Sequence, residues 1–231
     1  MGGMDTPWFS RFFERVNLTL TKISQSDFLA LVLPKCKQII TQSELEHLLS
    51  SGKRLKVKLG IDATGAELHL GHAVPLMLLR LFQRRGHEIH FIEHIGEPSG
   101  GSDKRVQNSS KEIQKNIKTY TKQVAPFIDL KKAKVHKNSK WLSRMSLSEY
   151  LRIAGAINFS AVAQRDDFRE RSKTEAGVTL REAAYASLMA IDSTYLKADI
   201  EIGGIDQLLN MMQAREVMEA EGLASEVVLT T

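Results

Sequence analysis

The sequence predicts an α/β fold, in which a mostly parallel sheet is flanked by helices, and three observations predict it. Apolar residues alternate between Leu55 and Ile61, as they do in a strand with one buried face. Between residues 70 and 85 the apolar residues recur at helical spacing instead. Strand-like and helix-like segments then continue to alternate along the chain, which is typical of parallel sheets whose ligands bind where strand ends meet helix starts.

Residues 1–53 are predicted to form a helical segment of their own, with apolar clusters at Phe9–Val16 and Leu29–Leu33. Residues 54–231 are predicted to form one α/β domain with a helical, basic insertion at about 104–144. The first half of this domain should contain a strand at 55–61, a helix at about 70–85, a strand at 87–93, a glycine- and serine-rich loop at 95–102, and a short strand near 134–136. The second half should contain helices at 146–156, 160–171 and 179–192, a strand at 199–202, a helix from 204 to about 222, and a strand at 227–230.

The bulk composition excludes several classes of protein. The 231 residues carry a net charge of +5 and suffice for one domain with a full core. The early apolar stretch Phe28–Leu33 is too short to span a bilayer, and no secretory signal is recognisable, so we expect no membrane association. A single cysteine, Cys36, excludes an intrachain disulfide and suits a cytoplasmic location, with an organellar one also possible.

Positive charge is concentrated between Lys104 and Arg144, where twelve lysines and arginines accompany two acids, Glu112 and Asp129. A face of this density attracts polyanions such as RNA. Helical spacing places four of the lysines on one face, and an ordinary solvated helix face is the alternative interpretation. The candidate RNA-binding residues are Lys111, Lys115, Lys118 and Lys122.

The most informative stretch runs from Lys56 to His72, where a strand ends in a loop that opens a helix with His69-Leu-Gly71-His72. Unpaired N–H groups and the positive end of the helix dipole favour phosphate at a helix N-terminus. Two imidazoles three residues apart can donate to phosphate oxygens, and Gly71 leaves room for a purine ring. The His-x-x-His pattern alone would also fit a metal site or two surface histidines.

Six further blocks follow in order along the chain. They are Gly86-His87, Ile95-Gly-Glu97-Pro-Ser-Gly100, Asn138-Ser-Lys-Trp141, Arg165-Asp-Asp-Phe168, Tyr185 through Asp192, and Lys197 through Gly203-Gly204-Ile-Asp206-Gln207. From about Leu55 onward the chain resembles tyrosyl-tRNA synthetases of the bacterial and organellar type, which are class I aminoacyl-tRNA synthetases. The resemblance implies a Rossmann-like, HUP-type catalytic domain that activates tyrosine with ATP, transfers it to tRNA and forms a homodimer.

The resemblance also implies roles at the nucleotide end of the site. Thr64 and His69 would donate to the departing phosphates, and His72 would help to build the nucleotide pocket; these three are the candidate catalytic residues. Asp206 would accept from the ribose hydroxyls. The candidate ATP-binding residues are Asp62, Gly71, Gly203, Gly204 and Asp206. ATP would enter with Mg²⁺ as a substrate, with no tightly bound cofactor and no metal site of the protein's own.

At the amino-acid end, Tyr185 and Asp192 are seven residues apart, so two helical turns place them on one side of a helix. By resemblance, Asp192 would accept from the substrate's phenol and Tyr185 would meet its amino group. The candidate amino-acid-binding residues are Lys58, Glu97, Tyr185, Met189, Asp192 and Gln207.

The chain departs from the family pattern at several positions. Met189 stands where the family usually has glutamine, Glu97 where it has aspartate, and Ala63 where it has proline. The sequence stops at Thr231, before the family's KMSKS loop and anticodon-binding region, which we therefore expect to be absent. Two alternatives to tyrosine–tRNA ligation follow: a divergent adenylate-forming enzyme for another amino or carboxylic acid, and a non-catalytic paralogue that binds RNA or a partner.

Overall fold

The structure is a computed structural model that describes residues 20–62, 68, 70–94, 119–174 and 177–231. The strands within these residues are β1 (Gln38–Ile40), β2 (Lys56–Asp62), β3 (Glu88–His94), β4 (Lys134–Lys137), β5 (Ile200–Gly203) and β6 (Val227–Thr230). The helices are α1 (Gln25–Val32), α2 (Gln42–Ser50), α3 (Leu70–Arg85), α4 (Ser139–Leu142), α5 (Leu147–Ala154), α6 (Phe159–Val162), α7 (Asp166–Arg171), α8 (Leu180–Ala183), α9 (Tyr185–Leu196) and α10 (Leu208–Ala220). Residues 119–124 are also helical, and short 3₁₀ turns lie at Leu20–Lys22, Leu33–Lys35 and Ile205–Gln207.

The six strands form one sheet in the order β1-β6-β5-β2-β3-β4. Strand β2 pairs in parallel with both β3 and β5, and the pairs β3–β4 and β5–β6 are also parallel. The prediction of a mostly parallel sheet flanked by helices is therefore confirmed. Because β2 and β5 are adjacent and parallel, their C-terminal ends meet at the same edge, where ligand sites of such sheets form.

The prediction that the first segment is helical is wrong at Gln38–Ile40, which is strand β1. It pairs antiparallel with β6, so that Ile39 lies opposite Leu229. The chain turns from β1 directly into α2, because Thr41 caps that helix: its hydroxyl accepts from the Glu44 N–H at 3.2 Å, and the Glu44 carboxylate accepts from the Thr41 N–H at 2.8 Å. The sheet thus begins before the predicted domain boundary at residue 54.

Two predicted helices are each divided in the structure. Residues 160–171 contain α6 and α7, separated where Arg165 takes an extended ψ of 135°. Residues 179–192 contain α8 and the start of α9, separated at Ala184, whose ψ of −13° departs from the value of about −42° in a regular helix. Helix α9 continues to Leu196 and ends where Lys197 adopts a left-handed φ of 51°. Asp192 is therefore an interior residue of α9.

The sheet has a covered face on each side. On one side α1 and α3 supply a core in which the rings of Phe28 and Phe82 meet edge to face, 5.3 Å apart. On the other side α9 and α10 pack on the sheet, and Met189 and Met211 cluster with Val228 of β6. None of the helices in the described part of the chain is long and apolar enough to cross a membrane.

Candidate active site

A cavity of about 510 Å³ opens at the sheet edge where β2 and β5 end. Strand β2 leads towards the start of α3, and β5 leads into the 3₁₀ turn Ile205–Gln207. The start of α9 forms another wall of the cavity, with Tyr185 and Met189 among the lining residues. Eight of the predicted site residues line this cavity: Gly71, His72, Tyr185, Met189, Gly203, Gly204, Asp206 and Gln207. The His72 segment and the Asp206 turn, which lie far apart in the sequence, thus open onto the same space.

Several predicted site residues lie outside the described residues. They are Thr64, His69, Glu97, Lys111, Lys115 and Lys118, together with the side chain of Asp62, whose backbone ends β2. Lys122 is described and is exposed on the helix of residues 119–124. It is not among the described residues that line the cavity.

The turn after β5 sets the position of the Asp206 carboxylate. Its Oδ2 accepts from Gln207 Nε2 at 2.8 Å, and Gln207 Oε1 in turn accepts from Asn210 Nδ2 at 2.9 Å. A Cβ atom at Gly204 would stand 2.3 Å from Asp206 Oδ1, closer than real contacts allow. Glycine is thus required at position 204 for the carboxylate to keep this position beside the cavity.

Helix α9 presents Tyr185 and Met189 to the cavity, but Asp192 lies deeper. Its side chain is 0% exposed, and it is not among the described lining residues. Asp192 Oδ1 accepts from Trp141 Nε1 at 2.7 Å, and Oδ2 accepts from Asn138 Nδ2 at 3.4 Å. Both donors come from the segment that follows β4, so the carboxylate is oriented by a part of the chain remote from α9 in sequence.

Lys58 occupies a fully buried position on β2, beneath the cavity. Its Nζ lies 2.7 Å from Oε1 of Glu201 on the neighbouring strand, and it also donates to Ser193 Oγ and, at 3.4 Å, to the Met189 carbonyl oxygen. Glu201 itself lines the cavity. Lys58 is therefore held by a carboxylate at the cavity floor and is not among the described lining residues.

A second carboxylate, Glu226, completes this buried group. Its Oε1 accepts from Ser193 Oγ at 2.9 Å. Burial and the nearby Glu201 carboxylate raise the pKa of Glu226 well above its usual range. Burial alone would lower the pKa of Lys58, but the charges of Glu201, Glu226 and Asp192 outweigh it and raise that pKa. Lys58 and Glu201 therefore form a buried ion pair, and beside it Glu226 favours its neutral form more than an ordinary glutamate does.

Sequence reasoning missed both Glu201 and Glu226. A signal for Glu201 exists, because an acid inside the apolar run Ile200–Ile202 must be paired when the strand is buried. Glu226 precedes β6 and carries no comparable signal in the sequence.

A pair of histidines lies at the other edge of the sheet. His90 Nε2 is 2.6 Å from Glu88 Oε1, and His136 Nε2 is 3.0 Å from His90 Nδ1, with the two rings stacked 5.0 Å apart. The edge of His136 meets the ring of Trp141, the donor to Asp192. Burial, and next the positive charge that His90 can carry, lower the pKa of His136 to about 4.

This pKa predicts a specific dependence of stability on pH. The pKa of His87, immediately before β3, is also lowered to about 4, mainly by burial, from the ordinary value of 6.5. Below pH 6.5 these two histidines therefore bind more protons in the unfolded chain than in the folded one. We expect the contribution of these histidines to the free energy of unfolding to be constant above pH 7 and to be lost progressively from about pH 6.5 to about pH 4. Glu226, whose pKa is raised, adds a contribution of the opposite sign, which decreases as the pH rises above 4.5.

Urea unfolding at half-unit steps between pH 7.5 and 4.5 would measure this dependence. The variant His136→Gln should show a shallower fall over the same range, because it removes one of three histidines whose pKa is lowered, the third being His90. A difference in unfolding free energy between the unsubstituted chain and His136→Gln that stays constant from pH 7.5 to 4.5 would contradict the buried, neutral state of His136.

Comparison with known proteins agrees with this geometry. Residues 50–231 match the family model described as tRNA synthetases class I (W and Y). The chain belongs to this family. The resemblance of this class I synthetase chain to tyrosyl-tRNA synthetases, first inferred from its motifs, is confirmed by curated relatives. A tyrosine–tRNA ligase of Legionella pneumophila (strain Lens) is 38% identical over 201 residues, which is 85% of this chain and 50% of that protein. One from Syntrophotalea carbinolica is 35% identical over 216 residues, 90% of this chain and 53% of that protein.

This synthetase chain thus spans about half the length of the curated relatives it matches. Solved structures of the family share its fold. A tyrosyl-tRNA synthetase from Archaeoglobus fulgidus, complexed with L-tyrosine, has a TM-score of 0.75 at 23% identity. The matched region is 90% of this chain and 64% of that chain. A C-terminally truncated mitochondrial enzyme from Coccidioides posadasii has a TM-score of 0.72 at 20% identity, with coverages of 97% and 73%. The expected Rossmann-like synthetase fold is therefore confirmed.

Proposed function

We propose that this class I synthetase chain activates tyrosine with ATP and transfers it to tRNA. The observation that carries the proposal is the convergence of His72 and Asp206 on the cavity that Tyr185 also lines. Curated relatives named as tyrosine–tRNA ligases support the choice of amino acid over another acid substrate. They also favour catalysis over a purely RNA-binding role.

The nucleotide would occupy the end of the cavity between α3 and the turn after β5. Gly71 and His72 begin α3, where the positive helix end stabilises phosphate charge. Asp62, at the end of β2, and Thr64 and His69, which follow it in the sequence, would act beside them. The Asp206 carboxylate would accept from the ribose hydroxyls, and Gly203 and Gly204 would let the adenosine approach the backbone. ATP would bring Mg²⁺ with it.

Activation needs no covalent enzyme intermediate. An oxygen of the amino acid's carboxylate attacks the α-phosphorus of ATP, the bond from that phosphorus to the bridging oxygen breaks, and pyrophosphate leaves with the electron pair. The nucleophile is already an anion, so the chain's contribution is positioning and stabilisation of phosphate charge. A hydroxyl of the tRNA's terminal ribose would then displace AMP from the aminoacyl-adenylate.

The amino acid would enter beside α9. Tyr185 would meet its amino group, with Met189, Gln207 and Glu97 around it. Asp192 would accept from the phenol, with its carboxylate held in orientation by Trp141 and Asn138. The Lys58–Glu201 pair would form the polar floor. Lys111, Lys115, Lys118 and the exposed Lys122 would contact tRNA. A homodimer in the cytoplasm or an organelle is the expected assembly.

The test is amino-acid-dependent exchange of pyrophosphate into ATP across the twenty standard amino acids. Tyrosine should support the fastest exchange. A different amino acid as the best substrate would replace the proposed specificity, and a lack of exchange with all twenty would reject amino-acid activation by this chain.

In the same assay, Asp206→Ala should raise the KM for ATP by about tenfold or more, because each hydrogen bond to a charged acceptor is worth about 1.5–3 kcal/mol. The matched control is Glu216→Ala, which removes an exposed carboxylate from α10. An equal KM for ATP in both variants would remove Asp206 from the nucleotide site.

A further inference from the structure

Tyr195, near the end of α9, presents an aromatic ring to solvent. The residue is 62% exposed although its ring stacks on Trp141, with the two centroids 4.5 Å apart and the planes inclined by 18°. Because Trp141 covers one face of the ring, so large an exposed area requires the opposite face to be open. Neither residue is among the described residues that line the candidate active-site cavity. The chain thus carries a flat aromatic surface outside that cavity.

The Trp141 ring that supports Tyr195 is fixed by other contacts. Its Nε1 donates to Asp192 at 2.7 Å, and the edge of His136 meets it with the ring centroids 5.9 Å apart. Trp141 is itself buried. A ring that rests on such a support loses little side-chain entropy when a flat ligand stacks on its open face.

The segment around Trp141 is strongly basic. Residues 130–148 include six lysines and arginines and no acid. Two of these cations are close to Trp141 in the sequence, since Lys140 precedes it immediately and Arg144 follows it by three residues. Both are exposed, and neither forms an ion pair within the described part of the chain. Their charges are therefore available to an anionic partner.

A third cation comes from the end of α9. Lys197 follows Tyr195 by two residues, is exposed, and adopts the left-handed φ of 51° at which the helix ends. The acids of this helix end do not neutralise it at the surface: Asp192 is buried, and the Asp199 carboxylate accepts from a backbone N–H of β2 at 2.7 Å. We define the aromatic–basic surface as Tyr195, Lys140, Arg144 and Lys197.

An open aromatic face beside several cations matches the chemistry of a single-stranded nucleic acid. A nucleobase stacks on the ring, and the phosphates on either side of that base meet the cations. Every base has a π face, so this mode of binding tolerates any sequence. In a duplex the bases stack on one another and are not free to reach the ring. An acidic protein segment would contact the cations but would make no use of the ring.

We propose that the aromatic–basic surface binds a single-stranded nucleic acid, with one base stacked on Tyr195 and the flanking phosphates at Lys140, Arg144 and Lys197. The surface is distinct from the lysines at 111–122 that the sequence suggested for RNA. None of its residues is among those described as lining the candidate active-site cavity. The proposal is therefore independent of amino-acid activation, which the exchange assay tests separately.

The stacking interaction is tested by binding of two fluorescent probes to the whole chain: an RNA strand of about eight nucleotides, and an abasic strand with the same phosphates and no bases. Tyr195→Ala should weaken binding of the RNA about fivefold or more and binding of the abasic strand less than twofold. Tyr195→Phe keeps the ring and should bind the RNA within about twofold of the unsubstituted chain. The matched control is Phe159→Ala, which removes another ring from a residue that is also 62% exposed.

The stacking arm has outcomes that would overturn the proposal. They are unchanged RNA binding in Tyr195→Ala, an equal loss in Phe159→Ala, and an equal loss for the two probes. Tyr195→Leu keeps the test decisive if alanine disturbs the fold by uncovering Trp141. Leucine still covers that ring but offers no flat π face, so RNA binding should fall as it does in Tyr195→Ala. Full RNA binding by a normally folded Tyr195→Leu chain would also overturn the proposal.

The phosphate contacts are tested with Lys140→Gln and Arg144→Gln together. This pair should weaken binding of both probes and make the slope of log Kd against log salt shallower by about 1.4, because a single strand contributes about 0.7 for each phosphate contact. The matched control, Lys173→Gln with Arg181→Gln, removes two exposed charges elsewhere and should leave the slope unchanged. An equal change of slope in the two pairs would overturn the assignment of phosphates to this surface.

Two further ligands identify the partner. Polyglutamate of the same charge should compete with the RNA at least fivefold less well, since it has no base to stack; equal competition would show that charge alone is recognised and would overturn the proposal. A DNA strand of the same length separates the two sources of a single strand. Tighter binding of RNA assigns contacts to the 2′-hydroxyls, whereas equal affinity assigns recognition to bases and phosphates common to both.

Discussion

Replacing Lys58 by methionine is expected to lower the free energy of unfolding by about 3–5 kcal/mol, because it leaves a buried carboxylate without its counter-charge. Lys58 is 0% exposed and its ammonium lies 2.7 Å from Glu201. Methionine preserves the volume of the stem but offers no donor to Glu201, Ser193 or the Met189 carbonyl oxygen. Urea unfolding at pH 7.5, monitored by circular dichroism, would measure the loss.

Two controls separate the ion pair from general effects of losing a lysine. Lys53→Met removes an exposed lysine five residues earlier and should change stability by less than about 0.5 kcal/mol. The double variant Lys58→Met with Glu201→Met removes both charges and should recover a large part of the loss. If Lys58→Met alone is as stable as the unsubstituted chain, the buried pair described for this cavity floor does not exist.

Replacing Asp192 by alanine is expected to collapse selection against phenylalanine in the exchange assay. A buried acceptor dedicated to a hydroxyl rejects the analogue that lacks it by about 10⁴–10⁵, a range already known for tyrosyl-tRNA synthetase itself. Without the carboxylate, the phenol hydroxyl of tyrosine loses its hydrogen-bond acceptor. Phenylalanine has no hydroxyl, so its binding loses no hydrogen bond. We expect the ratio of kcat/KM for tyrosine over phenylalanine to fall below about 10².

Asp192 also accepts from Trp141 and Asn138, so alanine removes an acceptor from two buried donors. The variant Asp192→Asn keeps an oxygen acceptor and the shape of the side chain, and it should retain more selection than alanine does. Unfolding curves for both variants show whether the fold is intact. Selection that is equal in Asp192→Ala and the unsubstituted chain would refute the role of Asp192 in phenol binding.

The strand–helix order of the domain could be predicted from the sequence because each element carries its own periodicity. Strand β2 and helix α3 are examples, since a period of two gives way to a period near 3.6 within fifteen residues or so. Strand β1 could not be found in this way. Its three residues, Gln38–Ile40, are too few to show a period, and only its partner β6 makes it a strand. The break between α8 and α9 at Ala184 could not be predicted either, because it is a local change in ψ that alanine does not require.

The nucleotide end of the site could be anticipated because each of its parts is a short motif. Gly71 with His72 and Gly204 with Asp206 are adjacent residues, and the parallel order of β2 and β5 brings the two motifs together. The amino-acid end depends on pairs from distant segments. The contact of Trp141 with Asp192 joins residues about fifty positions apart, and neither residue type requires the other.

Strand β1 has a consequence for where this folding unit can be cut. The matched family region starts at residue 50, whereas β1 and most of α2 come before it. Arg215 of α10 reaches back across this boundary to the Glu44 carboxylate at 3.0 Å and to the Ile40 carbonyl oxygen. A chain trimmed to the homologous region would remove β1 from one side of β6, leave β5 on the other, and uncover a row of backbone donors and acceptors flanked by apolar side chains. Such an edge recruits strands from other molecules, so trimming at the family border would replace the short, partly exposed edge strand β1 by the buried strand β6 and favour aggregation.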